Sequence, residues 1–79
     1  MNPEVKTVSP LENYEMELEF ENGERKIFDL KPYLDKGIFA KLKDIEQFKA
    51  MRTVFGSVEW KGGQDLSYDT LYLEGRNIY

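Results

Sequence analysis

The sequence predicts one small α+β domain, in which two or three short helices cover one face of an antiparallel β-sheet. Three observations lead to this fold class. The chain has 79 residues, which is enough for one core and too few for two. A stretch near the N-terminus alternates polar and apolar residues, and the middle of the chain repeats apolar residues at helical spacing. We therefore assign residues 1–79 to a single domain, with residues 74–79 as a C-terminal tail.

The first two strands follow from local patterns. Residues 5–11 contain several β-branched side chains and end at a proline, which predicts a first strand. Residues 14–21 alternate between two sets of side chains: Tyr14, Met16, Leu18 and Phe20 in one, and Glu15, Glu17, Glu19 and Glu21 in the other. A period of two places each set on its own face, so this strand is half-buried.

The Asn-Gly dipeptide at residues 22–23 is a strong signal for a β-hairpin. It predicts a two-residue type I′ turn, in which both central residues, Asn22 and Gly23, have positive φ. A loop of that length pairs Leu18 with Ile27 on one face and Glu19 with Lys26 on the other. A third strand therefore follows the turn.

Helical segments follow the hairpin. Asp29 is placed to cap a short helix, and its carboxylate can accept only from the Lys31 amide because Pro32 has no N–H. Five apolar residues then recur at helical spacing: Ile38, Phe39, Leu42, Ile45 and Phe48. Asp44 with Gln47 three residues later resembles a capping box, so we predict two short helices broken near residue 43.

Two further strands are predicted at residues 53–55 and 58–60, on either side of Gly56. Gly56 marks a bulge or a tight turn between them. Trp60 is expected to be buried and to anchor the sheet to the closing segment. After a glycine-rich loop, either Asp65 or Ser67 caps a last helical turn.

The residue types present narrow the chemistry. The chain contains no histidine and no cysteine, the residues from which most acid–base and nucleophilic sites are built. Its serines lack the flanking residues of a nucleophile motif, and its glycine pair lacks the spacing of a phosphate-binding loop. We therefore expect no enzyme, no cofactor and no metal site. Without cysteine or an apolar leader, a cytoplasmic protein with no membrane span is expected.

Charge is distributed unevenly along the chain. Residues 1–24 carry a net charge of −6, residues 25–52 carry +4, and the remainder carries −2. Glu15, Glu17 and Glu19 form a candidate binding face for a basic partner, and the competing interpretation is a plain solvated sheet face. The spacing of the lysines in residues 25–52 is typical of the solvent-exposed side of amphipathic helices. With a net charge of −4, the chain is not expected to bind nucleic acid directly.

Six stretches together resemble a prokaryotic domain of unknown function, the family numbered 2442. They are PEVKTV (3–8), FENGE (20–24), FDLKPYL (28–34), GIFAKL (37–42), VFGSVEW (54–60) and DLSYDTLY (65–72). The chain departs from the family at Lys61 and Tyr68, where relatives often have proline, which loosens the backbone there. The resemblance implies an α+β fold with an antiparallel sheet and carries no catalytic residue over to this chain.

The resemblance also implies two kinds of context, an attached domain in some relatives and a neighbouring gene in others. Some relatives place this domain before a helix-turn-helix DNA-binding domain, and stand-alone members sit beside another small gene, as in toxin–antitoxin pairs. The leading hypothesis is a non-enzymatic protein–protein interaction module, the antitoxin-like or regulatory half of such a pair, with a small protein partner. A homodimer is compatible with the sequence. The alternative is a small-ligand sensor domain with an aromatic cluster lining its pocket.

Overall fold

A computed structural model describes residues 2–78 and contains seven strands, two 3₁₀ helices and two α-helices. The strands are β1 (Val5–Pro10), β2 (Glu15–Phe20), β3 (Arg25–Asp29), β4 (Arg52–Val54), β5 (Ser57–Glu59), β6 (Asp65–Leu66) and β7 (Arg76–Asn77). The 3₁₀ helices are Lys31–Tyr33 and Gly37–Lys43, and the α-helices are α1 (Ile45–Lys49) and α2 (Tyr68–Glu74). Residues 1 and 79, the ends of the expected domain and tail, lie outside the described residues.

The α+β class is confirmed, but the strands form two antiparallel sheets instead of one. The larger sheet has the order β1-β2-β3-β7 and the smaller sheet the order β4-β5-β6. The segment expected as a C-terminal tail supplies β7, which pairs with β3. Long-range pairing of this kind leaves no local signal in a two-residue strand, so the pattern at the C-terminus did not predict it.

One continuous core joins the two sheets and the helices. Met16, Leu18 and Phe20 project from β2 into this core, as the alternation predicted, and Phe28 joins them from β3. Val5 of β1 and Leu30 also belong to the core. The helical segments, the smaller sheet and the residues next to them contribute the rest: Leu34, Leu42, Phe48, Val58, Trp60, Leu66 and Leu71. Since the helices pack on this side, the glutamates of β2 lie on the opposite face of the larger sheet.

The hairpin between β2 and β3 forms, but the predicted type I′ turn and its register are wrong. The loop has three residues, 21–23, closed by hydrogen bonds from Gly23 N to Phe20 O and from Phe20 N to Glu24 O, both of 2.9 Å. Gly23 has φ +88°, whereas Asn22 does not have positive φ. A type I turn followed by a left-handed glycine is the usual three-residue hairpin.

The longer loop shifts the pairing by one residue, so that Leu18 lies opposite Lys26 and Glu17 lies opposite Ile27. A one-residue shift exchanges the two faces of a strand. The predicted register would have turned Arg25, Ile27 and Asp29 toward the core. The observed register buries Phe28 together with Leu30 and brings in a single charged residue, Lys26. More apolar area and less charge are buried, which explains why this register is preferred.

A turn with positive φ at both central positions does occur, between β4 and β5. Val54 pairs with Ser57 across a two-residue loop in which Phe55 has φ +49° and Gly56 has φ +80°. These values are the signature of type I′. Gly56 was predicted to mark a bulge or tight turn, and the tight turn is what forms.

Asp44 caps α1 as predicted, by accepting from Glu46 N at 3.0 Å. Asp29 accepts from Lys31 N at 2.9 Å, as expected, but the first 3₁₀ helix begins at Lys31, so its N-cap residue is Leu30 instead of Asp29. The break between the second 3₁₀ helix and α1 falls at Asp44, next to the predicted position. For α2 the cap is Ser67. The alternative cap, Asp65, belongs to β6.

Candidate functional site

The three glutamates predicted as a partner-binding face lie together on the outer face of the larger sheet. In the observed register Glu15 lies opposite Asp29, Glu17 opposite Ile27, and Glu19 opposite Arg25. On the other side, β1 presents hydroxyl side chains, Thr7 and Ser9, next to the same strand. The glutamate side chains are 25–33% exposed, so all three are partly covered by their neighbours.

Basic residues of the same face neutralise these glutamates. Arg25 lies 2.8 Å from Glu17 and 3.7 Å from Glu19. Arg76 of β7 lies 3.4 Å from Glu15, and the ammonium group of Lys31 lies 4.0 Å from the same carboxylate. The predicted pair between Glu19 and Lys26 does not form, because the register turns Lys26 to the inner face. The glutamate face is therefore a network of ion pairs.

Asp29, the last residue of β3, lies at the end of this network next to the first 3₁₀ helix. Burial raises the pKa of its carboxyl, but hydrogen bonds from Lys31 and the positive charges of Lys31 and Arg76 outweigh burial, so the pKa lies below its ordinary value. The Lys31 ammonium group is 3.0 Å from Asp29 and also donates to the Asn13 carbonyl at 2.8 Å. Asp29 thus joins the outer face to the start of the helical layer.

A second cluster lies where the two hairpin turns meet. Glu4 links them: its carbonyl accepts from Glu21 N in the β2–β3 turn at 2.8 Å, and Val5 N donates to Gly56 O in the β4–β5 turn at 2.8 Å. The Glu4 side chain lies so close to Gly56 that a Cβ on Gly56 would come within 2.6 Å of it. Glycine is required at residue 56 both for this contact and for φ.

Phe55 is the exposed apex of this end of the molecule. Its side chain is 96% exposed, although it is bulky and apolar. Within residues 2–78, ion pairs involve Glu15, Glu17, Glu19, Asp29, Asp35 and Glu59, but neither Glu4 nor Glu21. We call Phe55 with Glu4 and Glu21 the hairpin tip. The sequence expectations did not include this cluster, although a phenylalanine directly before the glycine of a predicted tight turn was a signal for it.

A shallow groove of about 540 Å³ lies at the other end of β1. Leu11, Ile45 and Phe48 form its apolar lining, and Glu12 and Lys49 contribute polar side chains to it. Of the aromatic residues near the closing segment, Trp60 is packed into the core, whereas Tyr72 lines a separate cavity beside Glu24 and Lys26. Trp60 is only 1% exposed, its Nε1 donates to Phe48 O at 2.9 Å, and its ring meets Phe39 edge to face.

Tyr72 of α2 contacts the larger sheet through its ring and its hydroxyl group. Tyr72 packs edge to face on Phe20, receives the Lys26 ammonium group 4.2 Å from its ring centre, and donates to Glu24 at 2.9 Å. Its hydrogen bond to Glu24 is the main reason that the pKa of Tyr72 is raised. Asn22 supports the same carboxylate from the turn at 3.0 Å. These contacts are structural, and they explain how a lysine is accommodated among core residues.

No group of three or more acidic side chains in residues 2–78 is arranged to hold a metal ion. Over the same part of the chain, no helix has the length and apolar character needed to cross a membrane.

Comparison with known proteins connects the chain to a single family description. No curated protein and no solved structure gives a significant match. A family model described as "Protein of unknown function (DUF2442)" matches residues 5–77, which covers both sheets and all four helical segments. The chain therefore belongs to the DUF2442 family of proteins of unknown function.

Proposed function

We propose that this protein is a non-enzymatic protein–protein interaction module, the antitoxin-like or regulatory half of a small two-gene pair. The observation that carries the proposal is the 96% exposure of Phe55. A small domain has little apolar side chain to spare from its core. Phenylalanine in full contact with water contributes nothing to folding, whereas aromatic side chains are common anchors of protein interfaces.

The partner expected for this module is a small protein. The net charge of −4 disfavours a nucleic-acid partner, since phosphate contacts require a basic surface. The glutamate face is a second surface for the same role, and a basic partner would have to compete there with Arg25 and Arg76 for the carboxylates. For this reason we rank the hairpin tip above the glutamate face.

The experiment is co-purification of the tagged full-length protein from its own host, followed by mass spectrometry and reconstitution with the purified partner. We expect one protein in stoichiometric amount, and a complex that re-forms from the separated components. The product of an adjacent small gene would support the two-gene arrangement. Stoichiometric recovery of a nucleic acid, or recovery of the chain with no bound protein, would contradict the proposal.

Small-ligand sensing is the second candidate, and the groove beside Leu11 and Ile45 favours it, because ligand sites are concave and largely apolar. A fluorescent probe of apolar surface, the anion 8-anilinonaphthalene-1-sulfonate, tests this candidate. Binding to the native protein that disappears in Ile45→Asn and persists in Phe55→Asn would favour the sensor. Failure of the native protein to bind the probe would remove this candidate.

A further inference from the structure

We propose that the hairpin tip inserts Phe55 into an apolar pocket of a protein partner, and that lysine or arginine side chains at the rim of that pocket pair with Glu4 and Glu21. This inference rests on the proposed interaction function and names the surface and the chemistry of the partner. It depends on three features of the tip: its backbone conformation, the exposure of Phe55, and two carboxylates that form no ion pair among residues 2–78.

The backbone conformation shows that Phe55 is unfavourable for the fold. At φ +49° the Cβ of a non-glycine residue crowds its own backbone, and bulky residues rarely adopt this region. Asparagine, aspartate or glycine would suit the first central position of a type I′ turn far better. Strained residues of this kind cluster at functional sites, where the strain positions a side chain for use.

The flanking charges identify the class of partner. Glu4 and Glu21 are both exposed, are joined through a backbone hydrogen bond, and have no ion pair within residues 2–78. Carboxylates beside an aromatic apex repel phosphate, which disfavours nucleic acid and anionic lipid. They also disfavour a symmetric tip-to-tip dimer, which would bring like charges together. A different protein with a basic rim complements all of these features.

Placing a photoreactive residue at the apex tests the inference directly. Phe55→p-benzoylphenylalanine keeps an aromatic ring and cross-links whatever surrounds it in the host cell. We expect a cross-linked peptide from the co-purified partner, with lysine or arginine near its apolar residues. The matched control carries the same residue at Ile38, which is 55% exposed and lies at the opposite end of the smaller sheet, where Gln64 donates to its carbonyl. That control should not cross-link the partner.

Binding constants of the reconstituted pair give the second arm. Phe55→Asn should weaken binding by about 30-fold or more, the loss typical of an interface anchor, and Ile38→Asn should not. The double variant Glu4→Gln with Glu21→Gln should slow association and flatten its dependence on salt. Phe55→Asn should also raise the melting temperature by about 4–8 °C, because asparagine tolerates the left-handed region. A structural role for Phe55 would lower it.

The outcomes separate this inference from the proposed function. If a partner binds Phe55→Asn as tightly as wild type, the docking site is wrong while the interaction module stands. Absence of any protein partner would overturn both. Binding of wild type, but not of Phe55→Asn, to phosphatidylcholine vesicles would assign the tip to a membrane and overturn the protein pocket.

Discussion

At the scale of single residues, Gly23 and Trp60 show two ways in which one position determines local structure. Gly23 holds φ +88° in the three-residue loop and has open space where a Cβ would be. Its role is conformational, because no neighbour would obstruct a larger side chain. Trp60 is the opposite case, since its ring is enclosed and its Nε1 is hydrogen-bonded.

Replacing Gly23 with valine should lower the free energy of unfolding by about 1 kcal/mol or more, because a β-branched residue resists positive φ. Chemical denaturation followed by far-UV circular dichroism measures the change. Glu21→Val in the same loop is the matched control, since residue 21 does not have positive φ. Equal stability of Gly23→Val and wild type would mean that the loop does not adopt this turn.

Truncation of the buried ring in Trp60→Ala should cost about 3–5 kcal/mol, a large part of the stability of so small a domain. Trp60→Phe should cost less, because it retains most of the ring and loses mainly the bond to the Phe48 carbonyl. Urea unfolding of the three proteins provides the comparison. In the native wild type we also expect blue-shifted fluorescence, and water-quenched, red-shifted emission would contradict burial.

At the scale of elements, side-chain pairs between distant parts of the chain hold the sheets and helices together. The outer ion pairs join β2 to β3 and β7, and the hydrogen bond from Tyr33 to Glu74 (2.6 Å) joins the first 3₁₀ helix to the end of α2. These links are exposed or half-buried, so each contributes modestly and responds to salt or pH.

Reversing all three glutamates of the face to lysine places like charges beside Arg25, Arg76 and Lys31. We expect a loss of about 1–3 kcal/mol that shrinks at high salt, since each exposed pair contributes up to about 1 kcal/mol. The control is Glu12→Lys with Glu46→Lys, two exposed acids outside any ion pair of residues 2–78. A loss that is the same in both variants, or independent of salt, would contradict the network.

Burial, the hydrogen bond to Glu74 and the Glu74 charge together raise the pKa of Tyr33 from 10.0 to about 12. A raised pKa means that the folded state holds the proton longer, so the contribution to stability is complete below pH 10 and is lost as pH rises toward 12. The measurement is the difference in unfolding free energy between wild type and Tyr33→Phe across this range. Glu74→Gln should flatten the profile, and a flat wild-type profile would contradict the assignment.

At the scale of the whole molecule, the two sheets share one core. Side chains from β2 and β3 pack in the same cluster as those from β5, β6 and both α-helices. Neither sheet has a separate interior that would support it alone, because sheets of four and three short strands bury their apolar faces only by packing against another layer. The domain is therefore expected to unfold as one unit.

Urea unfolding should give coincident transitions by Trp60 fluorescence and by far-UV circular dichroism. Trp60 is the only tryptophan and follows β5 of the smaller sheet, while the longer strands belong to the larger sheet. The two signals therefore report different parts of the fold. Separate midpoints would show that the sheets unfold independently and would contradict a single cooperative domain.

Local physics was sufficient for much of the fold. Alternation over residues 14–21 predicted the buried face of β2, and Asp44 predicted the break between helices, because both depend on near neighbours in the chain. The sequence also contained a signal for the register: Phe28 and Leu30 share one face, whereas Arg25 and Asp29 share the other. That alternation favours the observed pairing over the one expected from the Asn-Gly dipeptide.

The sequence by itself determined which residues share a face and where most strands and helices lie. Only the tertiary structure decided that the strands divide into two sheets, that β7 completes the larger one, and that Glu4 brings Phe55 and Glu21 to the same end. Periodicity is a property of neighbouring residues, whereas these features depend on pairing between segments tens of residues apart. Such pairing is selected by the total burial of apolar area and charge, which no single segment contains.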